Sequence, residues 1–166
     1  MNAISTPTRA REPSSASPIV AQAPIVAAVD GSASSPAAID TAVRLGRELG
    51  ASLVFVYVRR GPAGFWGSPV YQRRLTAEMS RARRALDTAL TSAEQAGIKA
   101  QGEIIEGKPR RRILELAGDR GARLVVVGSR SRRLGRSVSK GVIRAAERPV
   151  VVARPGRLAV ANAVEA

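Results

Sequence analysis

The chain contains no cysteine and no histidine in 166 residues. The first absence removes disulfides and thiolate metal sites, and the second removes the commonest general base and metal ligand, so most hydrolytic and zinc chemistry is excluded. Aromatic residues make up only 3% while apolar residues as a whole make up 45%, which leaves Val, Leu, Ile and Ala to build the core. No apolar run is long enough to cross a bilayer, and the opening MNAISTPTRAREPSSASPIV lacks the apolar stretch of a secretory signal. The expectation is a cytoplasmic protein without membrane insertion. Acidic side chains are scarce too, 13 against 27 basic ones, for a net charge of +14. A field of that sign favours phosphates, nucleic acid or another polyanion. All the basic residues except Lys99, Lys108 and Lys140 are arginine, a bias that a GC-rich genome also produces, so composition alone leaves the role of the charge open.

Residues 1–22 are Ser, Pro, Thr and Ala with few large apolar side chains, and cannot bury enough surface to offset the entropy of ordering; they are expected to form a disordered tail. At Pro24 the pattern changes. IVAAVD reads as a buried strand ending in the turn Asp30-Gly31-Ser32, after which Ser34 or Ser35 can cap a helix with Pro36 at its first position and Gly50 past its end. Residues 52–58, SLVFVYV, read as a second strand. A Gly- and Pro-rich loop holding Phe65 and Trp66 follows. From Val70 to Ala96, Leu75, Met79, Ala82, Leu86, Leu90 and Ala93 form one stripe of a long helix, and Arg73, Arg74, Arg81 and Arg84 fall on the face expected to be solvated.

IKAQGEIIEG supplies a third strand, Pro109 opens a helix, RLVVVG is a fourth strand, and a helix near Ser137–Ala146 leads into a fifth, PVVVA. Strict alternation with continuously apolar strands predicts an α/β domain: an open five-stranded parallel sheet, helices on both faces, Rossmann-like, over residues 23–154. Residues 155–166 read as a tail. Right-handed crossovers place a ligand site at the carboxyl ends of the strands. The triplet Arg110-Arg111-Arg112 opens a helix where the macrodipole prefers acids, a local conflict expected where function intervenes.

Three patterns sit at those ends: Val29-Asp30-Gly31-Ser32, Glu106-Gly107-Lys108-Pro109, and Val127-Gly128-Ser129-Arg130 followed by Ser137-Val138-Ser139. Together with the final PVVVARP, in this order and spacing over residues 24 to 154, they resemble a universal stress protein domain. The resemblance implies an adenine nucleotide alpha hydrolase-like fold with strand order 3-2-1-4-5 and a small, non-catalytic binding module in stress response. It also implies a homodimer paired through its last strand, where Val150, Val151 and Val152 offer an apolar edge. Adenosine would be held by Asp30 and Val58. Gly107 would join them from the end of the third strand, and the phosphates would lie on Gly128, Arg130, Ser131, Arg136, Ser137, Val138 and Ser139. Asp30 has a second reading, since an Asp after a strand often caps the next turn with its own carboxylate.

The phosphate loop departs from the family pattern. Ser131 and Arg136 stand where the family has glycines, and only Arg132, Arg133, Leu134 and Gly135 separate them, a loop five residues short. Close backbone approach to a phosphate is thereby impaired, so ATP or another adenine nucleotide is expected to bind in a weakened or altered way, and no cofactor follows from the sequence with certainty. The alternative is a basic adaptor for nucleic acid or a ribonucleoprotein surface. It would use the arginine loop, the helix-two face and the cationic tail; whatever the ligand, the anion-binding surface is expected at the convergence of Lys108, Arg110, Arg130, Arg132, Arg133 and Arg136, because strands three and four of a parallel sheet present their exit loops on one edge.

Overall fold

Ile25, Val26 and Ala27 are consecutive and all completely buried, so the strand they form must be covered on both faces. The computed structural model describes residues 23–61, 68–129, 138–154 and 157–161. Within them the chain runs β1 (Ile25–Ala28), α1 (Ser35–Leu49), β2 (Leu53–Arg59), α2 (Pro69–Gln95), β3 (Ala100–Glu106), α3 (Pro109–Asp119), β4 (Leu124–Gly128), α4 (Val138–Ala145), β5 (Val150–Arg154) and β6 (Arg157–Ala161). Five strands are parallel in the expected order, β3-β2-β1-β4-β5.

Alternation along each strand divides the core in two. Ile25, Ala27, Val29, Leu53, Phe55 and Tyr57 face α1 and α2, while Val26, Val54, Val56, Val125 and Val127 face α3 and α4. Phe55 is the largest fully buried side chain; its register partners are Ala27 on one side and Gly102 on the other, and Leu86 and Leu90 of α2 take the space a β-carbon on Gly102 would need. The helix above is equally thin, since α2 buries Ala82, Ala85, Ala89 and Ala93 with a single leucine, Leu86. A chain poor in aromatics thus packs a helix close to its sheet through an alanine ridge.

Helix ends follow local chemistry. Gly50 closes α1 at φ 60°, the left-handed conformation that glycine adopts without strain. Ser68 caps α2 by accepting from the Tyr71 amide at 3.1 Å. Ser34 occupies the cap position of α1 but makes no side-chain capping bond; its hydroxyl lies 3.0 Å from that of Ser32.

The end of the chain corrects the sequence reading. The segment read as a tail, 155–166, contains β6, which pairs antiparallel with β5 from Val150↔Ala161 to Arg154↔Arg157. The sheet therefore has six strands. The edge at Val150, Val151 and Val152, expected to pair with a second copy, is occupied by the chain's own next strand, because an apolar strand left bare at an edge is covered by whatever segment can reach it. The tail at 1–22 lies outside the described residues.

Candidate functional site

Strand order reverses between β1 and β4, so the chain leaves β1 toward one face of the sheet and β4 toward the other, opening a crevice between the two exits. Asp30 stands at its lip. Its Oδ1 accepts from the Ser32 amide at 3.0 Å and from the Ser35 hydroxyl at 3.0 Å, and the Asp30 amide donates to Ser35 Oγ at 3.1 Å. Gly31 supplies the positive φ, 67°, that the turn requires. The carboxylate thus organises the β1–α1 turn, as the second reading of Asp30 expected. Ala28 pairs with Val56, and the ladder continues through the Val29 amide to the Val56 carbonyl at 3.0 Å, which brings Asp30 and Val58 side by side at the strand ends.

Gly128 lies across the crevice from that turn. A β-carbon there would sit 2.9 Å from both the carbonyl oxygen and the hydroxyl of Ser34, so this glycine is required by close approach rather than by its φ. The Ser139 hydroxyl donates to the Gly128 carbonyl at 2.9 Å, tying the first turn of α4 to the end of β4. Val138 packs against the core cluster beneath α3 and α4. Asp30, Val58, Gly128, Val138 and Ser139 are therefore gathered at one edge. Arg130, Ser131, Arg136 and Ser137, with Arg132 and Arg133, lie outside the described residues, as do Phe65 and Trp66.

Gly107 stands in the turn between β3 and α3. Its φ is 139°, its amide donates to the Arg59 carbonyl at 2.9 Å, and a β-carbon on it would meet Arg112 Cγ at 2.9 Å. It serves the turn into α3 and seats the stem of Arg112. Gly107→Ala should cost about 1–3 kcal/mol through forced backbone strain, read as a lowered urea midpoint at unchanged slope. Around it the charges pair. Arg59 binds Glu106, Arg112 binds Glu115 at 2.7 Å, and Arg111 binds the same carboxylate. Hydrogen bonds from Arg111 and then Arg112 hold the Glu115 carboxyl below its usual range. The conflict posed by basic residues at the start of α3 is resolved one turn later for two of the three.

Arg110 is the third. Its stem lies across α4 at Gly141, where a β-carbon would come within 2.8 Å of Arg110 Cδ, and it makes no ion pair among the described residues. This brings the start of α3 against the first turns of α4.

Sequence reasoning missed Arg81. It was assigned to the solvated face of α2 and is exposed there, but its stem also passes over Gly31, with Cγ 3.6 Å from where a β-carbon would sit, and its charge acts on Tyr57. Only the fold brings residues 30, 57 and 81 together. Burial raises the Tyr57 pKa above its ordinary value, Glu78 and Asp30 add to the rise, and Arg81 opposes it. The folded state thus holds the Tyr57 proton more tightly than the unfolded chain, and the stability this contributes is present below pH 10 and lost as pH rises through the folded pKa. The difference in alkaline absorbance titration between wild type and Tyr57→Phe should show a midpoint above 10, and Tyr57→Phe should lose less stability between pH 9 and 11 than wild type.

Among the described residues no group of three or more acidic side chains could hold a metal ion, and no helix is long and apolar enough to cross a membrane. The Universal stress protein family matches residues 23–154. The chain belongs to that family. Universal stress protein YxiE of Bacillus subtilis (strain 168) is 30% identical over 145 residues, covering 78% of this chain and 97% of that protein. A universal stress protein family structure from Burkholderia pseudomallei superposes with TM-score 0.67 at 28% identity, covering 81% of this chain and 98% of the other. A universal stress protein solved in complex with cAMP superposes with TM-score 0.60 at 26% identity, covering 78% and 94%. The parallel strand order described above is that of a universal stress protein fold.

Proposed function

We propose that this universal stress protein is a non-catalytic binding module of the cytoplasmic stress response that takes an adenine nucleotide at the β1/β4 crevice and grips the nucleoside more firmly than the phosphates. The observation that carries this reading is the β1–β2 register, whose last pair Ala28↔Val56 sets Asp30 and Val58 at adjacent strand ends, next to β4, whose terminal Gly128 is packed against Ser34 and tied to α4 by Ser139. The cAMP complex of a relative supports the ligand class. Weak phosphate grip follows from Ser131 and Arg136 replacing glycines in a shortened loop. The lack of histidine and cysteine supports binding without turnover. Calorimetry with adenosine, AMP and ATP at near-physiological salt tests this. Expected are affinities weaker than micromolar that differ among the three by less than about tenfold, within 1.4 kcal/mol. Submicromolar ATP binding that collapses on Asp30→Asn would overturn it.

One observation favours a second reading, a polyanion surface at the same edge: Arg110, seated on Gly141, makes no ion pair among the described residues, and Lys108 precedes it at the start of α3. With the loop arginines it would bind nucleic acid phosphates. Duplex DNA affinity measured across a salt series should fall steeply for wild type, and Lys108→Ala with Arg110→Ala should flatten the log–log slope by about 2. Arg83→Ala with Arg84→Ala, on the exposed face of α2, is the control; equal losses in both would reduce the effect to net charge.

A further inference from the structure

α2 is longer than the sheet it covers. Its 27 residues span about 40 Å, against roughly 23 Å for the seven of β2. The helix starts from the carboxyl end of β2 and no residue from Pro69 to Arg81 is buried, so its first half stands beyond the strand ends. Arg81 closes that stretch. It is exposed, and its Cγ lies 3.6 Å from where a β-carbon on Gly31 would sit, Gly31 being the residue that follows Asp30. Arg81 and Asp30 act with opposite sign on one hydroxyl, that of Tyr57, so the cation and the carboxylate share a neighbourhood. Arg81 makes no ion pair among the described residues, whereas Oδ1 of Asp30 is engaged by the Ser32 amide and the Ser35 hydroxyl.

We propose that Arg81 makes the crevice selective for adenosine phosphorylated on the ribose, at the 2′ or 3′ oxygen, over adenosine phosphorylated at the 5′ oxygen alone. The inference rests on the nucleoside reading above. An acidic side chain after a strand of a doubly wound sheet suits a ribose hydroxyl, and an arginine beside it suits the phosphate ester of that hydroxyl, because its planar fork of donors matches the phosphate oxygens. Both groups are present here. The carboxylate is committed in part to its own turn while the arginine is exposed and has no ion pair among the described residues, so the balance tips toward the ester. A 5′ phosphate would meet the shortened loop in which Ser131 and Arg136 replace glycines, and would gain less.

Calorimetry with adenosine and its 2′-, 3′- and 5′-monophosphates at near-physiological salt tests this. For wild type, the 2′ or the 3′ ester should bind about tenfold tighter than the 5′ ester, a difference of about 1.4 kcal/mol. Arg81→Gln should bring the three esters within about threefold of one another and leave adenosine unchanged. Arg81→Lys keeps the charge without the fork and should retain part of the preference. Arg83→Gln removes the same charge from an exposed position two residues on, which does not share a helix face with Arg81, and should leave the preference intact. Adenosine binding without a preference for a ribose ester, or a preference that survives in Arg81→Gln, would overturn the inference and leave the nucleoside reading standing. A wild type that binds none of the four would overturn both. Loss of adenosine together with the esters in Arg81→Gln, with a lowered thermal midpoint, would also overturn the inference and make Arg81 a brace for the β1–α1 turn.

Discussion

Gly128→Val should lower stability by about 3 kcal/mol and shift the thermal midpoint down by roughly 10 °C. The first β-carbon would already stand 2.9 Å from the Ser34 carbonyl oxygen, and a backbone atom in the first turn of α1 cannot rotate aside as a flexible side chain can. Relief requires the β1–α1 turn and the β4 exit to separate. That motion pulls on Asp30, whose carboxylate closes the same turn, and on Ser139, which holds the Gly128 carbonyl. Gly128→Ala should cost less, about 1–2 kcal/mol, while still weakening any ligand of the crevice. Thermal melts and calorimetry on the two variants separate the effects: a Gly128→Val protein with wild-type stability would mean that the crevice is wider than its close contact indicates.

Phe55→Ala should be the most damaging single truncation, about 3–5 kcal/mol, a large share of the 5–15 kcal/mol that holds a domain of this kind together. Its register partners Ala27 and Gly102 are too short to fill the space the ring would leave, and α2 offers the shared core cluster mainly alanines. Phe55→Leu should retain most of the stability, because it keeps most of the volume in the same slot. Urea unfolding followed by tyrosine fluorescence and far-UV circular dichroism gives both values. A loss below about 1 kcal/mol for Phe55→Ala would show a core that collapses more freely than close packing allows.

Elements defined by short-range signals were legible. Continuous apolar runs marked β1, β2, β4 and β5, the turn Asp30-Gly31-Ser32 marked the exit from β1, and Pro109 and Gly50 marked the start and end of helices, all within a residue or two of their observed bounds. β6 was not legible, since RLAVA carries neither alternation nor length enough to distinguish a strand from a tail, and its only reason to be a strand is β5 beside it. The structural part of Gly107 was not legible either. Its motif looks like a ligand turn, and only the packing of Arg112 shows what the missing side chain makes room for.

By itself the sequence determined the parallel α/β alternation and the double-sided core, which follow from periodicity and from the handedness of crossover connections acting between neighbours in the chain, while Asp30, Val58, Gly128 and Ser139 were named through the resemblance to the family. The tertiary structure alone decided which charges are spent and which remain. Arg59, Arg111 and Arg112 find Glu106 and Glu115, the Arg81 stem lies over Gly31 with its charge acting on Tyr57, Arg110 lies against Gly141 with no ion pair among the described residues, and β5 gains a cover. Most of these outcomes depend on distances between segments far apart in the chain, and a long flexible side chain or a bare strand edge takes its partner from whatever the finished fold sets within reach.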